Sequence, residues 1–155
     1  MTAGTSYELA ISRVFDAPRE LVYQAFTDPD QLAEWFGPVG FLVPRDTVAI
    51  DARTGGYQRF VMISADDPSV QSPVDAILTE VVENELLVGE QTVTGIPGTE
   101  GAVTMGLRLE FHEEPGGKTR LELRQGPFSE QLEADSRDGW NSSFTKLDRL
   151  LARRR

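Results

Sequence analysis

The stretch "FSEQLEADSRDGWNSSFTKLDRLLARRR", residues 128–155, constrains the fold more than any other part of the chain. Trp140, Phe144, Leu147 and Leu151 fall at i, i+4, i+7 and i+11, the buried stripe of a long amphipathic helix, and Ser129 is placed to cap its start. Such a helix gains most of its stability from packing, so the rest of the chain must supply an apolar surface for it. Gly139 interrupts the helix at a cost of about 1 kcal/mol against Ala. Its presence predicts a close backbone approach by some other segment.

The surface on offer is a sheet. From Val43 to about Gln125 the pattern turns to alternation and turn residues. "TVAIDARTGGYQRFVMISADDP" reads as two strands joined at Thr54-Gly55-Gly56, and "VDAILTEVVENELLVGEQTVT" as two more turning at Asn84-Glu85. "GIPGTEG" reads as a flexible loop. "AVTMGLRLEFHEEPGGKTRLELRQ" reads as a hairpin with Gly116-Gly117 at its turn and Val103, Met105, Leu107, Leu109 and Phe111 on one face. Before these six strands, Tyr7, Leu9, Ile11 and Phe15 share the parity of a first strand. Two short helices follow. In "DAPRELVYQAF" Asp16 is the predicted cap, Pro18 lies in the first turn, and Leu21, Val22, Ala25 and Phe26 form the apolar stripe. In "DPDQLAEWFGP" Asp28 caps, Pro29 opens the helix, Gln31 stands at the capping-box position, and Gly37-Pro38 ends it.

The predicted class is therefore α+β, a single domain over 1–155 with a core of about 7–152: a curved antiparallel sheet wrapped around a long C-terminal helix, with two short helices after strand 1 closing one end. A curved sheet touching a straight helix leaves space between them, so a cavity is expected on packing grounds.

This order, with "RVFDAPRELVYQAFTDPDQLAEWFGP", "DARTGGYQRFVM", "GGKTRLELRQGPF" and "GWNSSFTKLDRLL", resembles the helix-grip, START-like (SRPBCC) superfamily, in the AHSA-type branch similar to the activator of the ninety-kilodalton heat-shock protein ATPase. The resemblance runs from about Tyr7 to Ala152 and implies the fold. It leaves function open, because the superfamily spans lipid and hormone binders, polyketide cyclases, chaperone activators and self-resistance proteins for reactive antibiotics. Against the family pattern, Phe144 stands where Leu is commoner, which either narrows the cavity or stacks on a ligand.

Net charge is −10, from 15 Lys and Arg against 25 Asp and Glu. That field disfavours phosphate backbones, so nucleic acid is not an expected partner, and the terminal "ARRR" complements the helix dipole. The chain has no cysteine, which removes disulfides and thiol chemistry. No leader-like or membrane-spanning run is evident, so a cytoplasmic location is expected.

Chemistry is sparse. His112, the one histidine, lies in "FHEEPGG", where neighbouring acidic residues point to opposite faces; it reads as a solvated turn rather than a metal ligand. Asp66-Asp67 and Glu113-Glu114 read as surface turns. Arg13 shares the inward parity of Leu9 and Phe15, so it is either a ligand anchor or half of an internal ion pair. One of Gln58 and Arg59 must face inward, and register decides which.

The candidate ligand-binding set is Trp35, Phe36, Phe41, Tyr57, Phe60, Met62, Met105, Trp140, Phe144 and Arg13, with no catalytic residue, no metal ligand and no cofactor. Each aromatic or Met is either core or cavity wall. Trp140 leans to core because it opens the helix stripe. Trp35 and Phe36 lie between the two readings, beside the Gly-Pro break, and their segment is either a lid hinged on "GPVGF" or a fixed plug. The leading expectation is a non-enzymatic domain, monomeric or weakly dimeric, that holds a hydrophobic small molecule. The alternatives are a chaperone-activator-like module with a protein partner and a cyclase-like cavity enzyme. A self-resistance protein that sequesters, or is cleaved by, an enediyne-type antibiotic is implied by the resemblance alone.

Overall fold

In a computed structural model, residues 7–95 and 101–154 are described. The elements run β1 (Tyr7–Phe15), α1 (Arg19–Thr27), α2 (Pro29–Trp35), β2 (Phe41–Leu42), a 3-10 turn (Arg45–Thr47), β3 (Ala49–Asp51), β4 (Tyr57–Ser64), β5 (Gln71–Val82), β6 (Leu86–Val93), β7 (Val103–Glu114), β8 (Lys118–Phe128) and α3 (Glu130–Arg154). All pairings are antiparallel in the order β1-β8-β7-β6-β5-β4-β2, with β3 also on β4. This is the expected α+β helix-grip arrangement.

Among the described residues, seven strands follow the short helices rather than six. The extra one, β2, is a two-residue pairing of Phe41 and Leu42 with Ser64 and Ile63, too short to leave a periodic signal. The three predicted hairpin turns form where expected. Gly56 is required at the first: a Cβ there would lie 2.0 Å from the Asp51 carbonyl oxygen. Asn84 takes the left-handed conformation, φ 64°, at the second. Most of the loop expected to be flexible, residues 96–100, lies outside the described residues.

The caps differ in detail. Asp16 is not the N-cap of α1; Pro18 occupies that position without a side-chain bond. Proline forces the residue before it toward extended backbone, so the helix starts after Pro18. Asp28 does cap α2, its Oδ1 accepting from the Asp30 N–H at 2.9 Å. Gln31 does not complete a capping box, because the Asp28 N–H is already given to the Gln24 carbonyl at the end of α1. Gln31 donates instead to Asp28 Oδ2 at 3.2 Å. Ser129 caps α3 through Leu132 N–H.

Leu9, Ile11 and Phe15 of β1 point inward with Phe60, Met105, Leu109, Phe111, Leu121 and Leu123. Phe144, Leu147, Leu150 and Leu151 seat the second half of α3 on this face and on the short helices. The centre is aromatic: Trp35 lies 4.9 Å edge-on to Phe26 and stacks on Phe144 at 6.4 Å, which meets Phe15 at 5.3 Å. No described helix is long and apolar enough to cross a membrane.

Candidate functional site

The two halves of α3 treat the sheet differently. The second half fills the space beneath it with Phe144, Leu147, Leu150 and Leu151. The same face of the first half carries Leu132, Asp135, Ser136, Gly139 and Ser143, mostly small or short side chains. The sheet curves away faster than these can follow, and a cavity of about 430 Å³ remains. Phe60 and Met62 of β4, Val74 of β5, Val93 of β6 and Met105 of β7 form its floor. Phe36, Gly37, Pro38 and Phe41 close one side, and Trp140 projects from α3. The cavity meets the surface beside Val70, Gly95 and Asp135.

Gly139 does not mark a close approach. A Cβ there would meet only Pro38 Cγ at 3.9 Å, an ordinary contact. Its missing side chain keeps the cavity open.

Six of the ten candidate residues come together here: Phe36, Phe41, Phe60, Met62, Met105 and Trp140. The other four lie elsewhere. Trp35 is fully buried, and its indole N–H donates to the Ala25 carbonyl at 2.8 Å. That carbonyl is one of the last of α1, which have no partner within the helix, so the indole supplies its donor. Trp35 is thus part of the buried core, and Phe36 alone of the pair lines the cavity. Phe144 is also fully buried, packed among Phe15, Trp35 and Trp140 rather than lining the space.

Tyr57 lies on the outer face, because β4 turns Gln58, Phe60 and Met62 inward. The Arg59 guanidinium lies over the Tyr57 ring at 4.4 Å and pairs with Asp75. Gln58 is the inward member, its Nε2 donating to the Phe26 carbonyl at 2.9 Å. Arg13 forms an ion pair with Asp148 of α3 at 2.6 Å and spreads over the Phe15 ring at 4.9 Å. It reinforces the β1–α3 contact, away from the cavity lining.

Two buried glutamines of the cavity wall were not anticipated, Gln91 and Gln125. The Trp140 indole N–H donates to Gln125 Oε1 at 2.8 Å, and Gln125 Nε2 donates to Gln91 Oε1 at 2.7 Å. The signal was present: Gln125 shares parity with Leu121 and Leu123, and Gln91 with Leu87 and Val93. A polar side chain on an apolar strand face marks a place where a bond must be made. The Ser72 hydroxyl donates to the Thr94 carbonyl, and that of Ser143 to the Gly139 carbonyl.

His112 Nε2 lies 3.0 Å from Glu110 Oε1 on the outer face. Among the described residues no group of His, Asp and Glu is arranged to hold a metal ion.

Residues 16–152 match the family model described as "Activator of Hsp90 ATPase homolog 1-like protein". The chain belongs to the AHSA1 family. Solved structures share the AHSA1 fold over nearly the whole chain. CV1439 from Chromobacterium violaceum is 24% identical with a TM-score of 0.79, over 94% of this chain and 97% of that one. The AHSA1 protein from Silicibacter pomeroyi is 22% identical with a TM-score of 0.80, over 96% and 100%. Ms6760 from Mycobacterium smegmatis is 24% identical with a TM-score of 0.74, over 93% and 90%. At these identities the likeness establishes the fold. No curated protein matches the chain. An AHSA1 fold supports a ligand-binding or activator-like domain, and the cavity under α3 is the feature of this member on which a specific reading rests.

Proposed function

We propose that this protein binds a hydrophobic small molecule, without turning it over, in the cavity between the sheet and the first half of α3. The observation that carries this reading is the cavity itself: about 430 Å³, walled by Phe36, Phe41, Phe60, Met62, Met105 and Trp140. That volume falls within the roughly 300–1,000 Å³ of small-molecule sites, which are mostly apolar with a few placed polar groups. Among the described lining residues the one titratable side chain is Asp135, at the rim. General acid–base catalysis calls for positioned groups against the reacting atoms, and a lone rim carboxylate does not supply them.

The test is a titration with flat polyketides, flavonoids and fatty acids, followed by intrinsic fluorescence and thermal melting. Trp140 lines the cavity, so a ligand is expected to change its emission saturably. Trp140→Phe is expected to lose most of that change while keeping the thermal shift. Stabilisation is expected to follow mass action, about 2.7 kcal/mol at a hundredfold excess over Kd. A panel that moves neither emission nor melting temperature would overturn the reading in favour of a surface that engages a protein partner.

A further inference from the structure

The hydrogen bonds of the cavity wall fix which way its polar end faces. An indole N–H only donates, so the Gln125 amide must present its oxygen to Trp140. Its nitrogen is then turned toward Gln91, whose amide must present its oxygen in return. The chain of bonds runs one way and ends on Gln91 Nε2, a nitrogen with two hydrogens to give. The relay spans β8 to β6 across β7, and both glutamines are more than nine-tenths buried. The relay therefore closes on a nitrogen rather than an oxygen, on a residue that lines the cavity.

Charge narrows the occupant further. No Lys, Arg or His is among the described lining residues, and the one charged side chain, Asp135, is negative. A carboxylate placed against Gln91 would be desolvated without a counter-charge, which is costly. Resting on the small-molecule reading above, we infer that the cavity takes a neutral apolar molecule carrying a carbonyl oxygen, docked with that oxygen accepting from Gln91 Nε2 and its ring system among Phe36, Phe60 and Trp140. A pure hydrocarbon offers the Gln91 nitrogen no acceptor.

The experiment uses matched probes: fluorene, 9-fluorenone and fluorene-9-carboxylate, titrated into the full chain by calorimetry. A net hydrogen bond to the ketone predicts that fluorenone binds about tenfold tighter than fluorene, and that the carboxylate binds weaker than either. Gln91→Leu is expected to bring fluorenone down to the affinity of fluorene while fluorene itself is retained. The infrared stretch of the bound ketone supplies a readout independent of that variant. It is expected to fall to lower wavenumber than in an alkane solvent, and to return toward the alkane position in Gln91→Leu.

Equal affinity of fluorene and fluorenone, with an unshifted carbonyl band, would overturn the inference of a carbonyl docked on Gln91 and leave the cavity reading standing. Tightest binding of the carboxylate would overturn it too. Failure of all three probes would overturn both.

Discussion

Gly139 is the residue at which stability and cavity volume are set against each other. It lies inside α3 and faces the cavity, and the nearest atom to an added methyl would be Pro38 Cγ at 3.9 Å. Gly139→Ala therefore gains helix propensity, about 0.8–1.0 kcal/mol, with no clash to offset it. For 155 residues, an unfolding entropy of about 2.1 cal/mol/K per residue makes this a rise in Tm of about 3 °C. Gly139→Leu keeps most of that propensity and sends a branched side chain into the opening beside Trp140. It is expected to melt no lower than wild type and to lose binding of flat aromatic probes. Urea unfolding gives the stability, and quenching of Trp140 emission gives the binding. A drop in stability for Gly139→Ala would refute the reasoning, by showing that the Pro38 loop is held tightly against the helix and that the glycine is there for contact. Gly139→Leu that folds and still binds the probes would move the binding site away from α3.

Trp35→Phe keeps most of the ring packing but leaves the buried Ala25 carbonyl without its donor. The expected cost is about 1–3 kcal/mol in chemical denaturation, and a loss below about 0.5 kcal/mol, on the same scale, would mean that the indole bond is dispensable. On the outer face Glu110 and Glu122 stand directly across β7 and β8. The Glu110 carboxyl is held below its usual range, first by the Arg108 hydrogen bond and then by His112. That of Glu122 is held down first by the Ser12 hydroxyl, with Arg120 assisting. Depressed carboxylates stabilise the fold above their unfolded-state values near 4.5 and lose that contribution as pH falls through the lower folded-state values. The urea midpoint is thus expected to fall as pH drops below about 4.5, less steeply in Ser12→Ala. An unchanged slope would remove the Ser12–Glu122 bond from the account.

The order of elements was legible because each rests on local chemistry. The 3.6-residue stripe of α3, the alternation of β7, the Asp28 cap and the glycine turns are all properties of neighbouring residues, and they depend on nothing far along the chain. Where two local signals competed, the sequence misled: Asp16 has a capping side chain, yet the Ala17-Pro18 backbone delays α1 past it. The expected capping box failed for a similar reason, because α1 and α2 are so close that one N–H cannot serve both.

The chain by itself determined that a long amphipathic helix must lie on a curved antiparallel sheet, and that the aromatic residues must share the interior with few charges. It did not decide which aromatic is wall and which is core. Phe36 and Trp35 are adjacent, yet one faces the cavity and the other is sealed, its indole N–H held by the Ala25 carbonyl at the end of α1. Tyr57 and Gln58 exchange faces on a single step of register, which is set by the pairing of β4 with β5. The cavity itself depends on how fast the sheet curves away from a straight helix, a distance between segments far apart in sequence. Only the tertiary structure puts Gly139, Gln91 and Gln125 around the same space, and only there do the two glutamines acquire a direction for their hydrogen bonds.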